Sequence, residues 1–104
     1  MIYELRIYQI HPGRMEDACN RFRDYTLKIF QKHGIKVVNL WINAEGKDII
    51  YYVCEFENLG AKTAAWDSFR SDPDWIKVKA ESEANGPIVM TIDSSIIKTA
   101  GFFH

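Results

Sequence analysis

Cysteine is scarce in this sequence of 104 residues, and the patterns that would give it a chemical role are missing. Cys19 and Cys54 lie far apart and outside any CxxC motif. Small secreted domains carry several cysteines at regular spacings, and thiol-redox proteins carry a CxxC pair. Both cysteines fall in stretches of regular apolar periodicity, where an isolated cysteine usually packs as a small apolar side chain. We therefore expect a protein of the reducing cytoplasm without disulfides.

Long apolar runs and a surplus of one charge are also missing. No apolar stretch approaches the roughly 20 residues that cross a bilayer. Charges interrupt the segment from Met1 to Arg6, which therefore lacks the apolar core of a signal peptide. Lys and Arg number 13 against 14 Asp and Glu, for a formal net charge of -1. Such a chain has no broad positive field for nucleic acid or anionic lipid, so we expect neither nucleic acid nor a membrane as a partner.

Motifs for a bound metal or a common cofactor are absent as well. The sequence contains no HxxxH or HExxH pair, no GxGxxG, no GKS or GKT and no GxSxG. These absences argue against a zinc site, dinucleotide or P-loop phosphate sites and a hydrolase nucleophile elbow. We interpret His11, His33 and His104 as exposed or capping residues in a turn, at a helix end and at the C-terminus. The sequence predicts no metal and no cofactor.

The sequence does contain enough apolar material for a packed core. Hydrophobic residues make up 47% of the chain, aromatic residues 13% and charged residues 26%, which is typical of a globular protein. This length fits one domain over residues 1–104. A fold of this size buries roughly two-thirds of the surface of the unfolded chain, so a partner subunit would add appreciably to the core.

Apolar periodicity divides the chain into strands and helices. Alternation predicts strands, apolar steps of three and four residues predict helices, and Gly, Pro and Asn clusters predict the connections. Asn58 and Asp72 are each placed to cap a helix, with Pro73 in the first turn of the second. The predicted elements are a strand over Ile2–Ile10, a helix over Arg14–His33, hairpin strands over Ile35–Asn43 and Ile49–Glu57, a helix after Asn58 that restarts at Asp72, and a strand over Ile88–Ile97.

The resulting order is β-α-β-β-α-β, the ferredoxin-like arrangement of the α+β class. In it, both helices cover one face of a four-stranded antiparallel sheet, and a face that meets water should be polar. However, the segment from Ile49 to Phe56 is apolar or aromatic on both faces, and the segment from Val37 to Ile42 is nearly so. One chain has too little helix to cover both faces. We therefore expect a homodimer in which two copies pack sheet against sheet.

Several short motifs occur in an order that resembles the NIPSNAP family. They are Glu4-Leu5-Arg6-Ile7-Tyr8, Pro12-Gly13-Arg14, Leu40-Trp41, Glu55-Phe56-Glu57-Asn58-Leu59 and Asp72-Pro73-Asp74-Trp75. The resemblance spans nearly the whole chain and implies a dimeric α+β barrel, the fold of cofactor-free antibiotic-synthesis monooxygenases, muconolactone isomerases and haem-degrading enzymes. It implies no single reaction, because this fold hosts both enzymes and binding proteins.

Asn39 is the most suggestive polar residue, because it interrupts an otherwise apolar strand. Its amide could orient a ligand or a developing enolate, although an Asn in a sheet also satisfies nearby buried groups. Trp41 lies two residues further and shares the face of Asn39, so the two would line one side of a pocket between sheet and helices. Core packing explains Trp41 equally well. Tyr52 would form another part of the wall.

Arg6 is the candidate for holding negative charge. It shares a strand face with Glu4 and Tyr8, and it could bind a carboxylate bidentately or form a partly buried ion pair with Glu4. Trp66 and Trp75 suit an aromatic ligand, but both lie at helical spacings where core packing is the default.

Two functional hypotheses remain open. The first is a small-molecule-binding homodimer, whose enzymatic form is a cofactor-independent monooxygenase or isomerase acting on an apolar or aromatic substrate. The alternative is a non-catalytic NIPSNAP-type binding or interaction module. A cavity in each subunit, reached by Asn39 and a titratable group, favours the first, and a filled interior favours the second. The candidate catalytic residues are Asn39 and Arg6, and the candidate binding residues are Trp41, Tyr52, Trp66 and Trp75.

Overall fold

A four-stranded sheet carries the helices of this protein on one of its faces. The computed structural model describes residues 1–103, so His104 and its predicted role lie outside the described residues. The elements are β1 (Ile2–Ile10), α1 (Met15–Arg21), a π-helical segment (Phe22–Thr26), α2 (Leu27–Lys32), β2 (Lys36–Ile42), β3 (Ile49–Phe56), α3 (Leu59–Arg70), α4 (Pro73–Ser82) and β4 (Val89–Ile97). The strand order is β2-β3-β1-β4 with every neighbouring pair antiparallel. The predicted α+β, ferredoxin-like class is confirmed.

The first helical stretch contains a feature that its apolar periodicity does not predict. The chain is helical from the start of α1 to the end of α2, but the π-helical segment interrupts the regular hydrogen bonding. There the N–H of Leu27 donates to the carbonyl of Phe22, five residues back instead of four. Single π turns of this kind are rare among helices, and those that do occur are often found at functional sites.

Both predicted helix caps are confirmed. Asn58 Oδ1 accepts from the N–H of Ala61 at 2.8 Å, and Asp72 Oδ1 accepts from the N–H of Asp74 at the same distance. Asp72 also ties the two halves of the helix layer together, because its Oδ2 lies 2.7 Å from Lys32 Nζ and 2.6 Å from His33 Nε2.

The core lies between the sheet and the helices and is rich in aromatic rings. On β3, alternate residues from Ile50 to Phe56 point into it, and on β1 the face that carries Glu4 and Arg6 is the buried one. Cys54 is fully buried, and burial raises the pKa of its thiol to about 12. The aromatic members of the core are Tyr8, Phe22, Phe30, Tyr52, Phe56, Trp66 and Phe69.

The other face of the sheet carries no helix and is apolar at its centre. Across the four strands, one row of paired residues runs Asn39, Val53, Leu5, Ser95, and the next runs Trp41, Tyr51, Ile7, Asp93. In these two rows polar side chains lie at the edges of the open face, except that Trp41, 47% exposed, extends the apolar centre to the β2 edge; Ile97, which pairs with Tyr3, is an exposed apolar residue at the β4 edge.

A β-bulge in β2 decides which side chains reach this open face. The register against β3 shifts between Val37 and Asn39, so that Val37 is paired with Cys54 and Asn39 with Val53. One extra residue reverses the alternation beyond it. Without the bulge, Asn39 and Trp41 would share the helix-covered face with Val37.

None of the described helices is long and apolar enough to cross a bilayer.

Candidate functional site

A cavity of about 460 Å³ lies between the sheet and the helices, a volume within the range of small-molecule sites. Strands β1 and β4 form one side, and the end of α1, the π-helical segment, α2, α3 and α4 form the other. Six aromatic residues line it: Tyr8, Phe22, Phe30, Trp66, Phe69 and Trp75. The remaining lining residues are Arg6, Arg21, Thr26, Arg70, Lys79, Glu83, Val89, Met90, Thr91 and Ile92.

The two ends of this cavity differ in exposure. Arg70 and Lys79 on the helices, and Met90 and Ile92 on β4, are exposed to solvent. Arg6, like Tyr8, Thr26 and Trp66, is buried. The cavity therefore has a mouth between β4 and the helices α3 and α4, and a closed inner end.

Arg6 organises the inner end. Its Nε donates to Tyr52 Oη at 2.7 Å, and its NH2 group donates to Tyr8 Oη at 3.1 Å. The guanidinium carbon lies 4.3 Å from the centroid of the Trp66 ring, within range of a cation–π contact. Burial opposes the charge, but the neighbouring Tyr8 and Tyr52 and the hydrogen bonds raise the pKa of Arg6. Arg6 is a permanent, fixed cation.

Glu4 balances that cation from the same strand face. Its Oε2 accepts from Arg6 NH1 at 3.0 Å and from Ser94 Oγ, and its Oε1 accepts from Trp66 Nε1 at 2.7 Å. Burial alone would raise the pKa of Glu4, but the hydrogen bonds from Ser94, Trp66 and Arg6 outweigh it, and the pKa is lowered. The ion pair between Glu4 and Arg6 that the sequence suggests is therefore present.

The direction of the hydrogen bond between the two tyrosines follows from what surrounds them. Tyr8 Oη and Tyr52 Oη lie 2.6 Å apart. Burial, followed by the proximity of Tyr8, raises the pKa of Tyr52 well above its ordinary value, so Tyr52 keeps its proton. That proton has no acceptor other than Tyr8 among the described residues. When Tyr52 Oη donates to Tyr8 Oη, the completely buried Tyr52 proton is satisfied, Tyr8 Oη accepts from both Arg6 and Tyr52, and the Tyr8 proton is available to a molecule in the cavity.

The charges on the cavity lining are unequal. Four cations line the cavity, whereas Glu83 is the one carboxylate on the described lining. The cations are Arg6, Arg21, Arg70 and Lys79. Arg6 is balanced by Glu4, and Arg21 pairs with Glu83 at 3.0 Å. Arg70 lies 3.8 Å from Asp67 with both side chains largely exposed, a pairing of little strength. Lys79 has no ion-pair partner within residues 1–103, so the mouth is basic.

The structure brings three of the six predicted site residues into this cavity: Arg6, Trp66 and Trp75. Tyr52 does not line it, because it is completely buried behind Tyr8 and reaches the cavity only through its hydrogen bonds.

The predicted position of Asn39 and Trp41 in a pocket between sheet and helices is wrong. The β2 bulge places both on the open face of the sheet, where Asn39 is exposed and its Oδ1 accepts from the N–H of Leu40 at 2.8 Å. They do share one face, as their spacing predicts.

Tyr8, Arg70, Lys79 and Thr26 are among the lining residues that the sequence does not predict as site residues. The sequence distinguishes Tyr8 only as a neighbour of Arg6 on one strand face, while Arg70, Lys79 and Thr26 look like ordinary helix positions. The one clue in the sequence concerns Tyr8, which shares a strand face with the charged residues Glu4 and Arg6. If that face is buried, its charged side chains need partners there.

No group of His, Cys, Asp and Glu in residues 1–103 is arranged to hold a metal ion. His33 is engaged at both nitrogens, with Nδ1 2.6 Å from Ser68 Oγ and Nε2 bound to Asp72.

The sheet order and one-sided helix layer are those of the ferredoxin-like subunits of α+β barrel proteins. The family model named NIPSNAP matches residues 3–103, and the chain belongs to the NIPSNAP family. No functionally curated protein matches the chain.

Three solved structures show how widely the fold is shared. An uncharacterized NIPSNAP domain protein from Burkholderia xenovorans has 17% identity and a TM-score of 0.84, with 100% of this chain and 99% of that chain covered. A NIPSNAP family protein from Agrobacterium tumefaciens has 20% identity and a TM-score of 0.85, with 99% and 91% covered. An antibiotic biosynthesis monooxygenase has 11% identity and a TM-score of 0.65, with 96% and 99% covered. At these identities the likeness shows the fold.

Proposed function

We propose that this protein is a homodimer that binds a small aromatic acid in the cavity of each subunit. The observation that carries the proposal is the combination of an aromatic lining with a basic mouth and a free hydroxyl proton on Tyr8. Rings of Phe30, Trp66 and Phe69 surround the space, with Phe30 and Phe69 centroids 4.9 Å apart. A flat apolar ligand gains most from such walls.

The charged end of the ligand belongs at the mouth. Lys79 has no ion-pair partner within residues 1–103, and Arg70 has only its exposed contact with Asp67. The guanidinium carbon of Arg70 lies 5.7 Å from the centroid of the Trp66 ring. A carboxylate placed between Arg70 and Lys79 would make charge-assisted hydrogen bonds. The inner end is uncharged overall, because Glu4 compensates Arg6, so the ligand's apolar ring occupies that end.

The inner end also suits a reaction in which negative charge develops on a ligand oxygen. Cofactor-independent monooxygenases and isomerases of aromatic ketones share such a step, since losing a proton beside a carbonyl gives an enolate. The Tyr8 hydroxyl would donate to the enolate oxygen, and Arg6 would stabilise the charge through Tyr8 without moving. This role for Arg6 is that of a positioning residue.

A second candidate function, a non-catalytic binding module, is favoured by one observation. Glu83 is the only carboxylate on the described lining, it is paired with Arg21, and no histidine lines the cavity. The described lining therefore offers neither an unpaired carboxylate nor a histidine as a catalytic base. Deuterium exchange at the carbon beside the ketone of a bound α-tetralone carboxylate, followed by NMR, distinguishes the two functions. If the protein accelerates this exchange and Tyr8→Phe abolishes the acceleration, the result supports an enzyme. If the exchange rate is the same with and without the protein, the result supports a binding module.

The homodimer is proposed from the open face of the sheet. Its centre is built from Leu5, Ile7, Tyr51 and Val53, with Trp41 beside them, and its edges are more polar, the pattern of a subunit interface. Two-fold packing of this face on a second copy would remove it from water. Both cysteines are free, which supports a reducing, cytoplasmic location.

Binding of β-naphthoate, measured by isothermal titration calorimetry, tests the ligand class. We expect the acid to bind and the neutral β-naphthalenemethanol to bind at least about tenfold more weakly, because the alcohol cannot pair with the basic mouth. The double variant Arg70→Gln/Lys79→Gln should lose that preference for the acid.

A matched control uses two cations of the same helices outside the cavity, Lys62→Gln/Lys77→Gln, which should keep the preference. No binding of the acid to the wild-type protein, or equal losses in the two double variants, would contradict the proposal.

A further inference from the structure

A second cluster of polar side chains lies where three helices come together. His33 follows the end of α2, Ser68 lies in the last turn of α3, and Asp72 caps the start of α4. Ser68 Oγ is 2.6 Å from His33 Nδ1, and Asp72 Oδ2 is 2.6 Å from His33 Nε2. The three side chains therefore form one continuous hydrogen-bonded chain from a serine through an imidazole to a carboxylate.

Asp72 fixes the tautomer of the imidazole in this chain. Hydrogen bonds from Lys32 and His33 lower the pKa of Asp72, so its carboxylate is ionised at neutral pH and can only accept hydrogen bonds. In the neutral imidazole, the ring hydrogen must then be on Nε2, and the lone pair of Nδ1 faces Ser68 Oγ. The Ser68 hydroxyl therefore donates to His33, as a nucleophile does to its general base.

Exposure differs along this chain as a nucleophilic reaction requires. The side chain of Asp72 is 4% exposed and that of His33 is 13% exposed, whereas Ser68 is an exposed residue. The carboxylate and the base are thus shielded from water, and the serine is open to a reactant. The order of serine, base and carboxylate is that of a catalytic triad with the two ring nitrogens exchanged, and triads are recognised by geometry and roles, not by a sequence motif.

Ser68 and His33 both line a cleft of about 490 Å³. One wall is a face of α3 on which Ala61, Ala64 and Ala65 precede Ser68 at helical spacing. These small apolar side chains leave room for a short acyl chain beside the serine. Within residues 1–103, this cleft and the aromatic cavity have no lining residue in common.

We propose that Ser68, His33 and Asp72 form a second, reactive site that hydrolyses small activated esters. Ser68 Oγ attacks the ester carbonyl carbon while its proton moves to His33 Nδ1. The bond from that carbon to the alcohol oxygen then breaks, and the alcohol leaves with the proton from Nδ1. Water next gives a proton to Nδ1 and attacks the acyl-serine, which releases the acid and restores the Ser68 hydroxyl. Lys36 lines the same cleft and would stabilise the negative charge that develops on the carbonyl oxygen.

Hydrolysis of p-nitrophenyl butyrate, followed by the absorbance of p-nitrophenolate, tests the proposal. We expect the wild-type protein to react at least about tenfold faster than Ser68→Ala, because a positioned general base contributes about 10²–10⁴-fold. Peptide mass spectrometry after a short reaction stopped with acid should find the butyryl group on Ser68. Ser71→Ala is the matched control: Ser71 is exposed near the end of the same helix, but its hydroxyl bonds only to backbone carbonyls, so this variant should react like the wild type.

Asp72→Asn distinguishes an activated serine from a purely structural contact. The asparagine oxygen can still accept from the N–H of Asp74, but the amide nitrogen takes the place of Oδ2 and donates to His33 Nε2. The ring hydrogen then moves to Nδ1, and the imidazole can no longer accept the Ser68 proton. The rate for Asp72→Asn should therefore fall about as far as that for Ser68→Ala, although Ser68 is still present.

The results that would overturn this inference are specific to this cluster. Equal rates for the wild-type protein and Ser68→Ala would refute it, as would butyryl groups found only on lysines. A folded Asp72→Asn protein that reacts as fast as the wild type would refute the role of the carboxylate. The proposed aromatic-acid site does not depend on any of these results, because it is lined by other residues.

Discussion

Replacing Glu4 by Gln should destabilise the protein by about 3 kcal/mol or more, because removing one partner of a buried ion pair leaves the other charge uncompensated. Glu4 is 2% exposed and accepts hydrogen bonds from Arg6, Ser94 and Trp66. Glutamine can still accept from Trp66 Nε1, but its uncharged amide no longer balances Arg6. For a domain whose total stability is about 5–15 kcal/mol, such a loss is large.

Urea unfolding at fixed protein concentration measures this cost, since a dimer's stability depends on concentration. Glu81→Gln is the matched control: its side chain is 69% exposed and its distance to Lys77 is 3.9 Å, so its cost should stay below about 0.5 kcal/mol. A cost for Glu4→Gln of less than about 1 kcal/mol, or one equal to that of the control, would refute the reasoning.

Three further predictions concern other parts of the molecule. Val53→Asp on the open face should convert a dimer into a folded monomer of 12.1 kDa, and a surviving dimer in sedimentation would contradict sheet-to-sheet packing. Hydrogen bonds from Lys32 and His33 lower the pKa of Asp72, so its stabilising effect is complete above the ordinary value of about 3.9 and declines as pH falls further. Asp72→Asn keeps a capping side chain, and its stability deficit in urea unfolding should shrink below about pH 4; a constant deficit would contradict this. Cys54 should resist iodoacetamide at neutral pH while Cys19 reacts, as peptide mass spectrometry can show, because the Cys54 thiol is buried and its pKa is about 12.

Strand alternation and helix caps were readable from the sequence because each depends on residues close in the chain. The buried face of β1 follows from a spacing of two, and Asn58 and Asp72 act on N–H groups two or three residues away. The same alternation rule predicts the wrong face of the sheet for Asn39 and Trp41. A bulge adds one residue to a strand without any change in composition, and β2 is apolar on both sides, so the sequence contains no sign of the reversal.

The cavity residues could be predicted only where buried charge was involved. Arg6 and Glu4 interrupt an apolar strand, so their pairing follows from the cost of burying either one alone. Arg70 and Lys79 become site residues only because α3 and α4 approach β4, and this tertiary arrangement has no counterpart in their helical spacing. The π turn itself is concealed by the apolar stripe of the helix, which continues through it.

The positions of the three tryptophans allow a direct test of where a ligand binds. Trp66 and Trp75 line the cavity, whereas Trp41 lies on the opposite face of the sheet. Titrating β-naphthoate into ¹⁵N-labelled protein while following the indole N–H signals should shift those of Trp66 and Trp75 and leave that of Trp41 unchanged. A shift of Trp41 alone, or of none of the three, would contradict a ligand site between the sheet and the helices.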